Sequence, residues 1–303
     1  MKRLSEVAAG LTAVAVSLSP MPAHADDPVF LGWSGALPPT VSTYDPSSEN
    51  DCTAGRIECV DKVIRTMYRG FDELAETCDH NLIFSLTYLR TTEEYRRAAT
   101  EPGFFRDAPF VNHEDAVFAE YYFHAYSNWS SGRTDRVPEA WRIAFDAAAA
   151  KQVSGSGNLQ LGISAHVLRD LPYVLASIGL VAPDGSSRKA DHDKVNVFLN
   201  RVTDPLLREL AARFDPKMDD AATPYGLTYT ALFQQIAAWR ETAWRNAERL
   251  VSAPDAAARA RVAQEIEETA AENARLIVRQ TSYVDPTAAA TRDAYCAQHG
   301  ATG

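Results

Sequence analysis

The sequence predicts an all-α fold: a single multi-helix domain with antiparallel, bundle-like packing behind an irregular N-terminal segment. Apolar residues recur at three- and four-residue steps over most of the 303 residues, which is the period of an amphipathic helix. No alternating apolar and polar runs flank an Asn-Gly or Asp-Gly turn, so the sequence carries no β-hairpin signal. The segments between the predicted helices are short, and short connections are typical of antiparallel neighbours in a bundle.

The first 58 residues precede the predicted helices. Residues 1–25 combine a basic start at Lys2 and Arg3, an apolar run and an Ala-His-Ala exit, which is the pattern of a cleaved secretory signal peptide. The apolar run has about a dozen residues, whereas a bilayer span needs roughly 20. Residues 26–58 are rich in Pro, Ser, Thr and Gly and predict an extended lead segment. We therefore expect a secreted, extracytoplasmic protein without a transmembrane segment.

Helices fill the predicted domain, residues 59–298. Pro138 suits the first turn of a helix, where its missing N–H costs nothing. Residues 158–180 are apolar almost throughout and predict a central buried helix. The last pair, within 229–281, is polar enough to form a partly separate subdomain. In order, the predicted helices are 59–77, 81–100, 115–130, 138–151, 158–180, 191–214, 229–252 and 254–281.

The cysteine set predicts two disulfides. Cys52, Cys59, Cys78 and Cys296 are even in number, and such a set pairs in an oxidising compartment. Four cysteines allow three pairings. Cys52 and Cys59 are close in sequence around a glycine turn, so we expect this short loop and, with it, a Cys78–Cys296 bond. A zinc site is the alternative, although the sequence has no C-x-x-C spacing.

The acidic balance narrows the expected partners. The formal net charge is −10 at pH 7. Nucleic-acid-binding surfaces are basic because they displace the counterions of the phosphates, so we expect no nucleic-acid partner. A small-molecule or lipid-like substrate remains compatible with this composition.

His166 and Asp170 form the main candidate pair. They are four residues apart in the most apolar predicted helix, so helical spacing places both on one face. Pro172 has no N–H to donate to the Leu168 carbonyl, and the backbone should therefore bend beside the pair. A buried polar pair is costly unless its groups are satisfied, which favours a functional role. An ion pair between Asp170 and an arginine is the structural alternative.

Further candidates lie on neighbouring predicted helices. His113 and Glu120 fall on one arc if the third helix begins early, and Asp115 either joins them or caps that helix. Nitrogen and carboxylate donors from several helices are how bundle proteins hold metal ions. The predicted ligands of Zn or another divalent metal are His113, His166, Asp170 and His192. The predicted catalytic residues are His166 and Asp170, with Asp115 or Glu120 as a further ligand or general base.

Three functions fit these residues. The leading interpretation is a metal-dependent hydrolase of an ester or phosphoester, in which bound zinc would supply a hydroxide near neutral pH. The first alternative is a non-catalytic secreted protein that binds an apolar small molecule or an envelope partner, because no complete catalytic signature is present. The second is metal-free acid–base chemistry by His166 and Asp170, which predicts activity that survives chelation.

Five parts of the chain resemble the domain-of-unknown-function family 5995. They read CVDKVI at 59–64, CDH at 78–80 with YLRTT at 88–92, NHED at 112–115 with FA at 118–119, AHVLRDLP at 165–172 and DHDKVN at 191–196. This resemblance covers most of the chain after the leader and implies an exported bacterial domain, without implying a reaction. A weaker likeness, carried by His166 and Asp170 as an H-x-x-x-D pair, is to the zinc-dependent phospholipase C and nuclease P1 group of secreted helical enzymes. The chain lacks that group's clear second pair and its N-terminal tryptophan ligand.

Overall fold

A computed structural model describes residues 43–218 and 227–300 of the chain. The predicted signal peptide, 1–25, and the first part of the predicted lead segment lie outside these residues. Residues 43–56 form turns and bends without a helix, in agreement with an irregular segment at this point. The helical body begins with Ile57–Glu76, close to the predicted start at residue 59.

The described residues form an all-α fold, as the sequence predicts. The described ranges contain ten α-helices and one π-helical turn, and no strand longer than an isolated bridge occurs in them. The α-helices are α1 Ile57–Glu76, α2 Leu82–Ala99, α3 Ala108–Ser130, α4 Glu139–Ala149, α5 Gly155–Ser164, α6 Leu171–Ile178, α7 Lys189–Arg213, α8 Leu227–Ser252, α9 Ala256–Thr281 and α10 Ala288–His299. The π-helical turn, Ala165–Asp170, joins α5 to α6.

The segment from α5 to α6 lies at the centre of the packing. Helix α5 contacts α2, α4 and α9, and α6 contacts α3 and α8. The π-turn between them is buried along its whole length. The prediction of a central buried helix over 158–180 is therefore confirmed, with a change of helical type in its middle. The predicted pair within 229–281 packs on the same centre, because α8 lies against α6 and α9 lies against α4 and α5.

Helix α3 begins earlier than its predicted start at Asp115. Asp107 precedes the helix and its side chain accepts a hydrogen bond from the Phe110 N–H, which is the bond of an N-cap. Pro109 occupies the first turn, where its missing N–H is tolerated. The interpretation of Asp115 as the cap is therefore wrong, and Asp115 lies in the body of the helix.

A glycine lets α5 approach α2 closely. A Cβ built at Gly162 would lie 2.2 Å from the Phe84 ring, so the Phe84 side chain occupies the space that a larger residue would need. Phe84 also lies edge-on to Trp141, at 5.3 Å between ring centroids, and to His166, at 5.9 Å. This close packing fixes the aromatic surroundings of the central segment.

Both predicted disulfides are present. Cys52 pairs with Cys59, and Cys78 pairs with Cys296. The second bond connects the turn after α1 to α10, a helix beyond the predicted ones. None of the helices that the structure describes has the length and apolar character needed to cross a bilayer.

Candidate functional site

The π-helical turn presents His166 and Asp170 on one face. The Leu171 N–H donates to the His166 carbonyl, five residues back, instead of following the four-residue pattern of an α-helix. Proline at position 172 has no N–H, so the regular ladder cannot continue through this point. The predicted irregularity beside the pair is therefore present, as a local widening of the helix. Single π-turns of this kind are frequent at functional sites.

Asp170 accepts hydrogen bonds on both of its carboxylate oxygens. His166 Nδ1 lies 2.9 Å from Asp170 Oδ2, and Trp141 Nε1 donates to the same oxygen at 2.8 Å. Arg169 Nη1 donates to Asp170 Oδ1 at 2.9 Å. The Asp170 carboxylate can only accept a hydrogen bond, so we assign the ring proton to Nδ1, which donates to it. Nε2 then carries a lone pair.

Arg169 links this carboxylate to a second acid on α9. Its Nε donates to Glu267 Oε1 at 2.8 Å, and its guanidinium lies 5.0 Å from the centroid of the Tyr173 ring. Burial opposes its charge, but the carboxylates of Glu267 and Asp170 raise the pKa of Arg169 above its ordinary value. Asp170 therefore pairs with His166 and with Arg169 through one carboxylate. The Asp170–arginine ion pair is the structural alternative given by the sequence, so both predicted contacts are formed.

Aromatic rings enclose the His166 imidazole. Phe118 stacks on it with ring centroids 3.5 Å apart and planes 5° from parallel, and Tyr88 lies at 4.6 Å in an edge arrangement. Burial among these rings lowers the pKa of His166, and the bond to Asp170 opposes this shift. His166 is therefore neutral near pH 7, with Nε2 able to accept a proton.

A largely apolar cavity lies beside this imidazole. Its empty volume is about 1040 Å³, including the open mouth. Side chains from α2, α3, α5, the π-turn, α6, α7 and α8 line it, and most of them are aliphatic or aromatic. The charged or titratable residues in the lining are Tyr88, Tyr95, Glu114, Asp115, His166 and Arg240. An apolar cavity with a few polar groups is typical of a small-molecule site.

Several polar atoms in the cavity lining are buried without a hydrogen-bond partner among the described residues. They are the Tyr88 hydroxyl, Asp115 Oδ2, His166 Nε2 and Arg240 Nε. Tyr88 is 6% exposed and His166 is 3% exposed, so bulk water does not solvate these groups. A buried polar atom without a partner costs free energy, and a bound ligand is one way to recover that cost.

Two adjacent acids on α3 face the same space. Burial raises the pKa of Glu114 to about 7, and burial followed by the Glu114 charge raises the pKa of Asp115 to about 8. Protein atoms surround both side chains, yet each keeps some accessible surface. That accessible surface faces the cavity. Near pH 7 the Asp115 carboxyl is therefore mostly protonated, so it can donate a hydrogen bond.

His192 and Arg240 bond to each other rather than to the His166 pair. His192 Nε2 lies 3.2 Å from the Arg240 carbonyl oxygen, and Arg240 Nη2 donates to the His192 carbonyl oxygen at 2.7 Å. Burial, followed by the Arg240 charge, lowers the pKa of His192 well below its ordinary value. Burial also lowers the pKa of Arg240 to about 10. These contacts join the start of α7 to α8 at the edge of the cavity.

The predicted metal ligands do not form one cluster in the described part of the chain. His166 and Asp170 meet, whereas His113 Nδ1 lies 2.8 Å from the Cys52 carbonyl oxygen and His192 contacts the Arg240 carbonyl. No group of three or more His, Cys, Asp or Glu side chains in residues 43–218 and 227–300 is arranged to hold a metal ion. The residues therefore do not fit the predicted zinc site, and the metal-dependent mechanism stays a prediction without a ligand set.

The other two predicted catalytic residues have different surroundings. Asp115 lines the cavity, in the body of α3. Glu120 is exposed to solvent and does not line the cavity, so its predicted role beside His166 has no support in this geometry. The reason is the helical period, since only residues at suitable steps from Phe118 share its inward face.

Four residues around the site are not among the predicted site residues, although Tyr88 and Phe118 belong to segments that carry the family resemblance. Tyr88, Phe118 and Arg240 line the cavity from three helices, and Trp141 donates to Asp170 from a fourth. Besides the spacing of His166 and Asp170, the adjacent acids Glu114 and Asp115 in an apolar aromatic helix are a sequence pattern that could have indicated this cavity.

The comparisons with known proteins give a family. No curated protein and no solved structure matches the chain, so neither comparison supports the likeness to the zinc-dependent phospholipase C and nuclease P1 group. One family model, described as a family of unknown function (DUF5995), matches residues 60–280. This match covers more than two thirds of the 303 residues and includes every helix that lines the cavity. The chain therefore belongs to the DUF5995 family, in agreement with the resemblance of its histidine-bearing segments.

Proposed function

We propose that the protein hydrolyses an ester of a small, mostly apolar molecule, with His166 as a metal-free general base. The observation that carries this proposal is the buried Nε2 of His166, which has no hydrogen-bond partner among the described residues and belongs to a residue that lines an apolar cavity. The other ring nitrogen is held by Asp170 at 2.9 Å. A general base needs an available lone pair within reach of its substrate and an oriented ring, and this pair supplies both.

The proposed reaction uses one water molecule. Nε2 of His166 takes a proton from the water as the water oxygen forms a bond to the ester carbonyl carbon, and the C=O π electrons move to the carbonyl oxygen. When the C–O bond to the alcohol breaks, the imidazolium returns the proton to the departing alkoxide. The products are the acid and the alcohol, and Asp170 acts as a positioning residue that stabilises the transient imidazolium.

The compartment is part of the proposal. Two disulfides are typical of proteins in oxidising surroundings, and they support a secreted or extracytoplasmic location. The predicted signal peptide agrees with that location, and a lipid-like ester is a substrate class that suits an apolar cavity.

A panel of p-nitrophenyl esters with short and medium acyl chains tests the reaction, with and without a chelator. We expect turnover that survives chelation and a fall in kcat/KM of at least about a hundredfold in His166→Gln, since general-base catalysis contributes that much. His124→Gln is the matched control, because His124 lies on α3 with its side chain exposed to solvent. Turnover that is unchanged in His166→Gln would contradict the proposal, and loss of turnover on chelation would favour the metal-dependent hydrolase.

Binding without catalysis is the second candidate function. Its support is the apolar lining of the cavity, which suits an apolar ligand whether or not a reaction follows. If the ester panel is not turned over while apolar ligands bind in the cavity, the protein is a carrier or sensor of such molecules. In that case His166→Gln lowers affinity only modestly, because the imidazole then supplies one hydrogen bond.

A further inference from the structure

We infer that the cavity selects a neutral carbonyl compound, a carboxylic ester rather than a phosphoester, and that Tyr88 and Asp115 hold its carbonyl oxygen. This inference rests on the proposed function, because it takes the cavity as the substrate site. It assigns two further residues to that site and narrows the substrate class.

The placement of Tyr88 supports the first of these assignments. Its ring lies edge-on to His166 at 4.6 Å between centroids, and its hydroxyl is buried without a partner among the described residues. Both residues line the same cavity from different helices. A ligand beside the His166 ring is therefore also close to the Tyr88 ring, whose hydroxyl has no acceptor among the described residues. Burial keeps the pKa of Tyr88 well above its ordinary value, so this hydroxyl stays a donor.

Asp115 supplies the second polar atom. It precedes Phe118 by three residues on α3, so both side chains lie on one face of that helix. Phe118 stacks on the His166 ring at 3.5 Å, and Asp115 lies about one helical turn along α3 from Phe118. Its Oδ2 is buried without a partner among the described residues. An apolar site favours the neutral carboxyl, and a neutral carboxyl donates a hydrogen bond to an acceptor oxygen.

The charges around the cavity disfavour a phosphoester. Glu114 lines the cavity with a pKa of about 7, so it is partly ionised near neutral pH, and its carboxylate would repel a phosphate. Arg240 is the one arginine or lysine among the described lining residues; its Nη2 donates to the His192 carbonyl oxygen, and its Nε is buried without a partner among those residues. A neutral ester avoids this repulsion, and its carbonyl oxygen acquires negative charge only as water adds. Two donors aimed at that oxygen stabilise the transition state more than the ground state.

A matched pair of unreactive ligands tests the inference. 2-Acetylnaphthalene carries a carbonyl group, and 2-isopropenylnaphthalene has the same shape with a methylene group in place of the oxygen. Calorimetric titration at pH 6.5 should give about tenfold tighter binding of the ketone, from two hydrogen bonds of modest net free energy. The infrared C=O band of the bound ketone should also lie at lower frequency than in an apolar solvent.

Variants assign the effect to the two residues. Tyr88→Phe and Asp115→Leu should each reduce the preference for the ketone severalfold and return part of the infrared shift, whereas Asp115→Asn keeps an N–H donor and should retain most of it. Tyr122→Phe is the matched control, since Tyr122 is an equally buried tyrosine that does not line this cavity. Circular dichroism of each variant checks that it folds.

The outcomes separate this inference from the proposed function. Equal affinity for the two ligands, or an unshifted carbonyl band in the wild-type complex, overturns the carbonyl inference and leaves the cavity as an apolar site. Failure of both ligands to bind overturns the inference together with the cavity as a substrate site. An unchanged preference in Tyr88→Phe overturns the assignment of that donor.

Discussion

His166 places its two ring nitrogens in different surroundings. Nδ1 lies 2.9 Å from an Asp170 carboxylate that two further donors hold, while Nε2 has no hydrogen-bond partner among the described residues. The donors come from Trp141 on α4 and from Arg169 beside Asp170, so rotation of the carboxylate would break bonds to several elements. A ring fixed in this way keeps one tautomer and one orientation, which a general base requires.

Also at the residue scale, the raised pKa of Asp115 predicts that folding stability depends on pH. Its pKa in the folded protein is raised to about 8, above the value of an unfolded aspartate. The folded state therefore binds more protons than the unfolded state between about pH 4 and pH 8, and the free energy of unfolding falls as pH rises through that window. Each pKa unit corresponds to roughly 1.4 kcal/mol, so the loss should reach several kcal/mol.

Urea unfolding at pH 5 and pH 8 measures this effect. The wild-type protein should lose more stability between the two values than Asp115→Asn, which does not titrate. The buried histidines act in the opposite direction below pH 6.5 and are the same in both proteins, so their contribution cancels in the comparison. Asp146→Asn, at an exposed position on α4, controls for the substitution itself. Parallel curves for wild type and Asp115→Asn would contradict the raised pKa.

The pair His166 and Asp170 was accessible from the sequence, and most of its partners were not. Four-residue spacing is a local property of a helix, and it predicts that two side chains share a face. Tyr88 and Arg240 reach the same cavity from α2 and α8, and nothing in their local sequence indicates this. His113 and His192 show the converse limit. They are predicted metal ligands, but each ring bonds to a main-chain oxygen, a contact that spacing in the sequence cannot indicate.

At the scale of elements, the contact between α5 and α2 holds the site together. Gly162 allows the Phe84 side chain to pack against α5, and Phe84 in turn lies against the rings of Trp141, Tyr88 and His166. A displacement of α5 from α2 would therefore move both the imidazole and the lining of the cavity.

Gly162→Ala tests this contact. The added Cβ would lie 2.2 Å from the Phe84 ring, so the ring or the helix must move, and overpacking of this kind costs about 1–3 kcal/mol. Gly70→Ala is the matched control, because a Cβ at Gly70 meets nothing within 4 Å in the interior of α1. There the replacement of glycine by alanine should stabilise the helix by roughly 0.5–1 kcal/mol.

Urea unfolding of the two variants gives the comparison. We expect opposite signs, with Gly162→Ala less stable and Gly70→Ala as stable as the wild type or more so. Equal midpoints for Gly162→Ala and the wild type would show that the space beside Phe84 is not limiting.

Across the whole molecule, two disulfides close loops of very different length. Cys52 and Cys59 are 7 residues apart, and Cys78 and Cys296 are 218 residues apart. A bond that closes a longer loop removes more entropy from the unfolded chain. By loop-closure entropy, the Cys52–Cys59 bond contributes about 2 kcal/mol and the Cys78–Cys296 bond about 5 kcal/mol to the free energy of unfolding. The Cys78→Ser/Cys296→Ser variant should therefore lose more stability in urea than Cys52→Ser/Cys59→Ser. The reverse order would assign the stabilisation to native contacts instead of loop entropy.

The global fold followed from the sequence more fully than the site did. Helical periodicity is repeated in nearly every segment, so the fold class, the approximate helix positions and the central segment 158–180 were predicted. Helix α10 was missed because its exposed, polar residues form no clear apolar stripe, and the Cys78–Cys296 bond together with the buried Arg292 holds it in place. The cavity could not be predicted, since it is a space between seven elements rather than a property of one.

The central claim is that this cavity receives the ligand, and a blocked cavity tests it most directly. Val202 lines the cavity from α7, whereas Val197 on the same helix is 42% exposed at the surface. In a calorimetric titration with 2-acetylnaphthalene, we expect Val202→Trp to weaken binding at least about tenfold, because an indole fills space that the ligand needs. Val197→Trp should bind as the wild type does. Equal affinity of the two variants would contradict the account, since the ligand would then lie elsewhere.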